Sequence, residues 1–180
     1  MKLRRLSLGA IVLLLAADSP KEPEVPELNK KVLEFARASL GKKIGDGECA
    51  TLAARALREA GARRFATSSE GDYVWGKLVR TVKPGENAAG EVLPGDIVQL
   101  RDALLTGKIG SDTFEYTYPK HTAIVAAVKD DGKVVELLHQ NTGAFNARDE
   151  DRRKVQRTTL RFGDLKKGTA KIHRPQPPSD

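Results

Sequence analysis

The 180-residue sequence contains a single cysteine, Cys49. One cysteine cannot form an intramolecular disulfide, so the fold cannot depend on such a cross-link. The sequence also lacks any C-x-x-C or H-x-x-x-H pair, the spacings with which one element supplies two ligands to a zinc ion. A zinc site would have to combine Cys49, His121 and His139 from separate parts of the chain, with no obvious fourth ligand. We therefore expect no metal and no other cofactor.

No apolar run is long enough to span a bilayer comfortably. The run at residues 6–15 follows a basic segment with Lys2, Arg4 and Arg5, and it precedes Ala16 and Ala17. This pattern predicts a signal peptide over residues 1–17, export to the periplasm or the medium, and no stable membrane span after cleavage. The alternatives are an uncleaved N-terminal anchor and a lipoprotein, and the second is disfavoured because no cysteine follows the run.

The charge is only mildly basic. It is +7 for the full sequence and falls to +4 without the three basic residues of the predicted signal peptide. Acidic residues are interspersed with the basic ones, so the sequence does not indicate a nucleic-acid partner. A mild positive charge suits an acidic partner such as a cell-wall polymer.

Composition and periodicity predict one folded domain. Residues 18–27 carry three prolines among charged residues and are typical of a stiff linker, and residues 175–180 form a short tail. The domain between them, residues 28–174, begins with an amphipathic helix that stops at Gly41 and a more apolar helix that stops at Gly61. Strands are then predicted at residues 97–100, 122–128, 134–138, 154–162 and 169–173, with a hairpin-like excursion at residues 106–120. The order predicts an α+β fold with N-terminal helices packed on an antiparallel sheet or small barrel.

Cys49 is predicted to lie in the first turn of the second helix. The segment Gly45-Asp46-Gly47-Glu48 before it is typical of a turn, and Asp46 can cap free backbone N–H groups. A helix N-terminus favours the thiolate, so we expect a lowered pKa for the Cys49 thiol and reactivity toward carbonyl carbon. The alternative is a small core residue, since Cys49 also continues the apolar stripe of this helix.

Two histidines flank a turn at residues 130–132. A three-residue loop would pair Lys129 with Lys133, so that His121 opposes Asn141 on the face that also carries His139. A two-residue loop would instead bring Gln140 beside His121. That face includes Ala123, Val125, Ala127, Val135 and Leu137, and we expect it to pack on the helices. A thiol nucleophile needs such a base and a second polar group to orient it.

Five segments together resemble the papain-like amidases and peptidases of the CHAP and NlpC-type families. They are LGK at 40–42, GECATLA at 47–53, LPGDI at 93–97, HTAIV at 121–125 and HQN at 139–141. The Gly-Glu-Cys stretch is also similar to a cysteine-proteinase-fold domain of certain fungal cytoskeletal proteins. The CHAP and NlpC-type resemblance implies a papain-like fold, a peptide or peptidoglycan-like substrate, and hydrolysis through a thioester intermediate.

Carried over by position, the resemblance makes Cys49 the nucleophile and His121 the base. His139 then matches the third catalytic position, and Asn141 matches the asparagine of the CHAP pattern. Glu48 departs from that pattern, because CHAP members often carry glutamine before the cysteine. A carboxylate there opposes both a thiolate and a developing oxyanion. The alternative function is a non-catalytic module of the same fold that binds a wall polymer or a protein.

Overall fold

The structure is a computed structural model that describes residues 24–69, 71–142 and 148–178. The predicted signal peptide and residues 18–23 of the predicted linker lie outside the described residues. The helices and strands are α1 (Glu27–Ala38), α2 (Cys49–Glu59), β1 (Ala66–Thr67), β2 (Tyr73–Val74), β3 (Lys77–Val82), β4 (Ile97–Ile109), β5 (Asp112–Lys129), β6 (Val134–His139), α3 (Asp149–Arg152), β7 (Gln156–Arg161) and β8 (Leu165–Arg174).

A six-stranded sheet dominates the fold, with the strand order β3-β8-β4-β5-β6-β7 and antiparallel pairing throughout. The short strands β1 and β2 form a separate pair. The predicted order of helices before an antiparallel sheet is confirmed. The predicted excursion at residues 106–120 is part of one long hairpin, in which β4 and β5 stay paired from Ile97 to Ile109.

The sheet is buried on both faces, by two different cores. On one face lies the helix-side core, in which α1 and α2 pack on the sheet through Val32, Leu33, Ala36, Leu52, Ala53, Ala56, Leu57, Ala60, Ala62, Trp75, Ile97, Ile124, Ala126, Leu138 and Val155. On the other face lies the inner core, formed by Val82, Ala88, Val92, Val98, Leu100, Ala103, Leu105, Ala123, Val125, Val135, Leu137, Leu160, Phe162, Leu165, Ala170 and Ile172.

This division corrects one prediction. Ala123, Val125, Val135 and Leu137 were predicted to pack on the helices, but they belong to the inner core. The helices instead cover Ile124, Ala126 and Leu138, the alternate residues of the same strands. A strand that is buried on both faces has apolar residues at every position, so alternation alone does not tell which face meets the helices.

The register beside the site is the predicted one, although the turn differs. Ile124 pairs with Leu138 and Val125 pairs with Leu137, as a three-residue loop would require. At the turn, however, Lys129 pairs with Val134, so the loop has an additional residue. An irregularity between Val125 and Ala127 absorbs this residue and restores the predicted pairing.

A buried carboxylate ties the helices to the centre of the sheet. Asp96 is fully buried and accepts hydrogen bonds from Asn29 of α1 at 2.8 Å and from both ends of the Arg174 guanidinium at 3.0 and 2.9 Å. Gly95 lets the turn approach α1 closely, because a Cβ atom there would lie 2.1 Å from the Asn29 carbonyl oxygen. The Pro-Gly-Asp segment therefore fixes where α1 meets β4 and β8.

Candidate active site

Cys49 is the first residue of α2, as predicted. The preceding turn is closed by Asp46, whose Oδ1 accepts hydrogen bonds from the Glu48 N–H at 3.0 Å and from the Thr51 hydroxyl at 2.7 Å. Gly47 has a left-handed backbone (φ 86°), and a Cβ atom there would lie 2.7 Å from the Arg153 Cβ. The sequence of this turn thus places a half-buried thiol at the start of the helix.

The protonation of Cys49 differs from the prediction. Burial raises the pKa of the Cys49 thiol, and the negative charge of Glu48 acts in the same direction. The backbone N–H groups of Thr122 and Ala50 face the sulfur and lower its pKa, but they do not overcome the burial. The expected acidified thiol is therefore wrong for this structure, because the helix N-terminus acts on a sulfur that is largely removed from water.

The two histidines predicted to lie close together are in direct contact. His121 Nε2 lies 2.7 Å from His139 Nδ1, and His139 Nε2 lies 2.7 Å from the Thr158 hydroxyl. His121 and His139 are only 4% and 3% exposed. The chain of two hydrogen bonds fixes the ring of His121 and leaves Nδ1 as its remaining nitrogen.

Burial keeps both imidazoles uncharged near neutral pH. It lowers the pKa of His121 well below the ordinary histidine value, and the neighbouring His139 adds to this effect. Burial also lowers the pKa of His139 to about 4. The resting site therefore combines a neutral thiol with two neutral imidazoles.

The structure does not join Cys49 to His121 by a hydrogen bond within the described residues. The Cys49 sulfur lies against the N–H of Thr122, a residue whose hydroxyl bonds to Gln99 at 2.8 Å. The side chain of His121 belongs to the opposite alternation of β5, with Ala123 and Val125 of the inner core. The predicted nucleophile, at the start of α2, thus contacts the residue that follows the predicted base in β5, without a direct bond to the base itself.

Asn141 contacts Glu48 and has no hydrogen bond to His121 among the described residues. Its amide donates to Glu48 Oε2 at 2.7 Å, while Arg153 donates to Glu48 Oε1 at 2.8 Å. Asn141 adopts a left-handed backbone (φ 55°), which asparagine tolerates better than most residues. The predicted role of Asn141 beside His121 is therefore replaced by a contact that holds the carboxylate next to Cys49.

Gln140 is fully buried and binds the turn that precedes Cys49. Its Oε1 accepts from the Ile44 N–H at 3.1 Å, and its Nε2 donates to the carbonyls of Ile44 at 2.9 Å and Glu48 at 2.8 Å. Its side chain points away from the histidine pair, as the register predicted. Gln140 thus connects the end of β6 to the segment that carries the thiol.

Two polar residues of the site were not predicted from the sequence. Thr158 lies on the edge strand β7, diagonal to His139 in the ladder, and a threonine in an edge strand carries no distinctive signal. Gln99 accepts from Trp75 Nε1 at 2.9 Å and donates to the His121 carbonyl at 3.1 Å. A glutamine in an otherwise apolar strand was the available hint, since a buried amide requires partners.

The structure supplies no metal site in the part of the chain that it describes: no group of three His, Cys, Asp or Glu residues there could hold a metal ion. Across residues 24–69, 71–142 and 148–178, no helix is both long and apolar enough to cross a membrane.

Comparison with known proteins places the chain by its family. Residues 26–179 match the AIM3/BBC1 cysteine proteinase-fold domain, which covers the helices, the sheet and every candidate site residue. No curated protein and no solved structure shows significant similarity to the chain. The match supports the papain-like cysteine proteinase fold but not the CHAP or NlpC-type families specifically. The chain belongs to the AIM3/BBC1 cysteine proteinase-fold domain family.

Proposed function

We propose that this domain is a cysteine hydrolase that cleaves an amide or peptide bond through a thioester on Cys49. The observation that carries the proposal is the buried hydrogen-bond chain from His121 through His139 to Thr158. A base needs one free ring nitrogen and a partner that fixes the other, and this chain supplies both.

The tautomers required for catalysis are compatible with the hydrogen bonds. When His121 Nε2–H donates to His139 Nδ1, and His139 Nε2–H donates to Thr158, the lone pair of His121 Nδ1 is free to accept the thiol proton. The sulfur of Cys49 then attacks the carbonyl carbon as the proton leaves. The imidazolium of His121 is stabilised by His139 and returns the proton to the leaving amine, and water releases the acyl group.

Transfer must be concerted with attack, because the thiol and the imidazole are both neutral at rest. The backbone N–H of Cys49, in the first helical turn, is the donor available to the oxyanion. Glu48 opposes this charge, but Arg153 and Asn141 hold its two oxygens and reduce the effect. The mechanism requires Cys49 Sγ to reach His121 Nδ1, so we propose that this contact forms when substrate binds.

The proposed substrate is a peptide, and a peptidoglycan peptide is the specific case suggested by the resemblance to CHAP and NlpC-type enzymes. We also propose that the protein is exported, on the basis of the signal-peptide pattern in residues 1–17. Sequencing the N-terminus of the protein isolated from its native host tests it, since cleavage near Ala17 is expected.

The function is tested with peptide mixtures, by measuring cleavage with mass spectrometry and trapping the acyl-enzyme with hydroxylamine. We expect Cys49→Ser and His121→Ala to lower kcat/KM by about 100-fold or more, while Ser111→Ala at the hairpin tip has no effect. Cleavage that survives in both site variants would place the activity elsewhere.

A second candidate is a non-catalytic module that keeps the fold and binds a polymer or a protein. The raised pKa of the Cys49 thiol and the missing bond to His121 favour it. This candidate predicts no cleavage and no trapped hydroxamate from the wild-type protein with any peptide.

A further inference from the structure

A pocket of about 380 Å³ opens on the inner face of the sheet, beside the histidine pair. Its walls are mainly apolar and include Leu100, Leu105, Leu137, Phe114, Tyr116 and Tyr118. A pocket of this size and character is typical of small-molecule sites. Cys49 does not line the pocket, which lies across the sheet from α2.

One wall is a row of neighbouring aromatic rings along β5. The ring centroids lie 5.2 Å apart between Phe114 and Tyr116, 6.4 Å apart between Tyr116 and Tyr118, and 4.7 Å apart between Tyr118 and His121. Phe114, Tyr116 and Tyr118 alternate along the strand, so their rings share one face. His121, three residues after Tyr118, lines the same pocket. Such a wall contacts a flat or aromatic group over a large area.

The pocket is polar where it meets the histidines. Thr142 lines it there, and its buried hydroxyl has no hydrogen-bond partner among the described residues. A buried hydroxyl without a partner destabilises the protein, so a ligand group that accepts from Thr142 recovers part of that free energy.

The pocket favours an uncharged ligand. Burial keeps both imidazoles neutral, and burial together with Tyr116 raises the pKa of Tyr118 to about 12. Arg157, on the rim, is bound to Glu136 at 3.0 Å. At the Thr142 end, the Arg152 Nε–H donates to the Thr142 carbonyl at 3.0 Å, and Arg161 and Asp164 add one charge of each sign to the lining. A carboxylate that entered the pocket would lose its water mainly against apolar side chains.

We propose that this pocket binds an uncharged, mainly apolar ligand with an aromatic body and one hydrogen-bond acceptor, such as a carbonyl, that reaches Thr142. The pocket includes His121 and His139 of the proposed hydrolase site but not Cys49, so binding of this ligand does not require turnover. The two proposals can therefore fail separately.

The test compares 4-phenylbutanamide with 4-phenylbutanoate, which have the same shape but differ in charge. Calorimetric titration at pH 7 uses the full chain with Cys49→Ala, so that no turnover interferes. We expect the amide to bind at least about tenfold more tightly than the carboxylate, since a carboxylate pays the larger desolvation cost. Proton NMR should show shifts of the Phe114, Tyr116 and Tyr118 ring signals on binding.

Thr142→Val keeps the shape of the side chain and removes its hydroxyl. We expect it to weaken the amide about fivefold, as loss of one neutral hydrogen bond would. Thr81→Val on β3, outside the pocket, is the matched control and should leave the affinity unchanged. The proposal is overturned if the amide does not bind, if the carboxylate binds as tightly, or if Thr142→Val binds the amide like the control. If Thr142→Val does not fold, the proposal is decided by the relative affinities of amide and carboxylate and by the shifts of the ring signals.

Discussion

At the scale of single residues, the thiol of Cys49 is affected first by its burial and also by the carboxylate before it in the chain. Glu48 raises the pKa of the Cys49 thiol, although burial is the larger cause. The side chain of Glu48 is 44% exposed, so solvent screens part of its charge. Arg153 and Asn141 hold that carboxylate in place rather than letting it turn to solvent.

We therefore expect Cys49 to react with iodoacetamide with a midpoint above the ordinary thiol pKa of about 8.5. Glu48→Gln should lower that midpoint by a few tenths of a pH unit, because it removes a screened negative charge. Glu59→Gln, at the other end of α2, is the control and should leave the midpoint unchanged. The measurement is the alkylation rate from pH 6 to 10. A wild-type midpoint below the ordinary value would restore the acidified thiol predicted from the sequence.

The positions of the candidate site residues could be inferred from the sequence, but their contacts could not. The position of Cys49 follows from a turn and a helical pattern, and the meeting of His121 with His139 follows from the strand register. Whether Asn141 turns toward His121 or toward Glu48 depends on the left-handed backbone of Asn141, which periodicity does not encode. The neutral state of the thiol depends on how deeply the helix start is buried, which is a property of the packed molecule.

At the scale of elements, Gln140 links β6 to the turn before α2. The three-residue loop predicted from the sequence directs the side chain of Gln140 away from the histidines. That direction is correct, yet the side chain makes three hydrogen bonds to the backbone of the segment that carries the thiol. We now expect Gln140 to matter through the stability of that segment.

Gln140→Ala should lower the free energy of unfolding by about 2–3 kcal/mol, because it leaves buried backbone groups of Ile44 and Glu48 without partners. Gln156→Ala is the matched control, since within the described residues the Gln156 side chain makes one hydrogen bond, to the Asp151 carbonyl at 2.7 Å. It should cost less than about 1 kcal/mol. Urea denaturation of both variants measures the difference. Equal decreases in the free energy of unfolding would mean that Gln140 stabilises the protein no more than Gln156 does.

In the hairpin of β5 and β6, the predicted pairing near the histidines is correct although the predicted turn length is not. The turn has one residue more than predicted, and the irregularity between Val125 and Ala127 removes the resulting shift before the strands reach the histidines. Sequence alternation across the turn specifies the faces of the strands but not such a bulge. The pairing near His121 was therefore predictable, whereas its cause was not.

At the scale of the whole molecule, the three histidines make the fold sensitive to acid. Burial lowers the pKa of His139 and of His173 to about 4, and it lowers that of His121 well below the ordinary value. Because these pKa values lie below those of the unfolded chain, near 6.5, the unfolded state binds protons first as the pH falls. Stability is therefore fully present above pH 6.5 and is lost as the pH falls toward 4.

We expect the free energy of unfolding to decrease between pH 6.5 and 4.5, with His139 alone contributing roughly 3 kcal/mol over its full range down to about pH 4. His173→Gln removes a buried histidine whose Nδ1 has no hydrogen-bond partner in the described part of the chain, and it should make this decrease less steep. Urea denaturation at intervals across the range, on wild type and variant, measures the slopes. A wild-type stability that stays constant from pH 6.5 to 4.5 would contradict the buried, neutral state of the histidines.

The strand β8 has a consequence for synthesis on the ribosome. It follows all the other strands in the chain, yet it lies inside the sheet and pairs with β3 on one side and β4 on the other. At 5–20 residues per second, roughly 4–17 s pass between translation of the end of β3 and the start of β8. During that interval both strands present unpaired backbone edges to other chains. The sheet is thus completed only at a late stage of translation, and the nascent domain needs protection from aggregation until then.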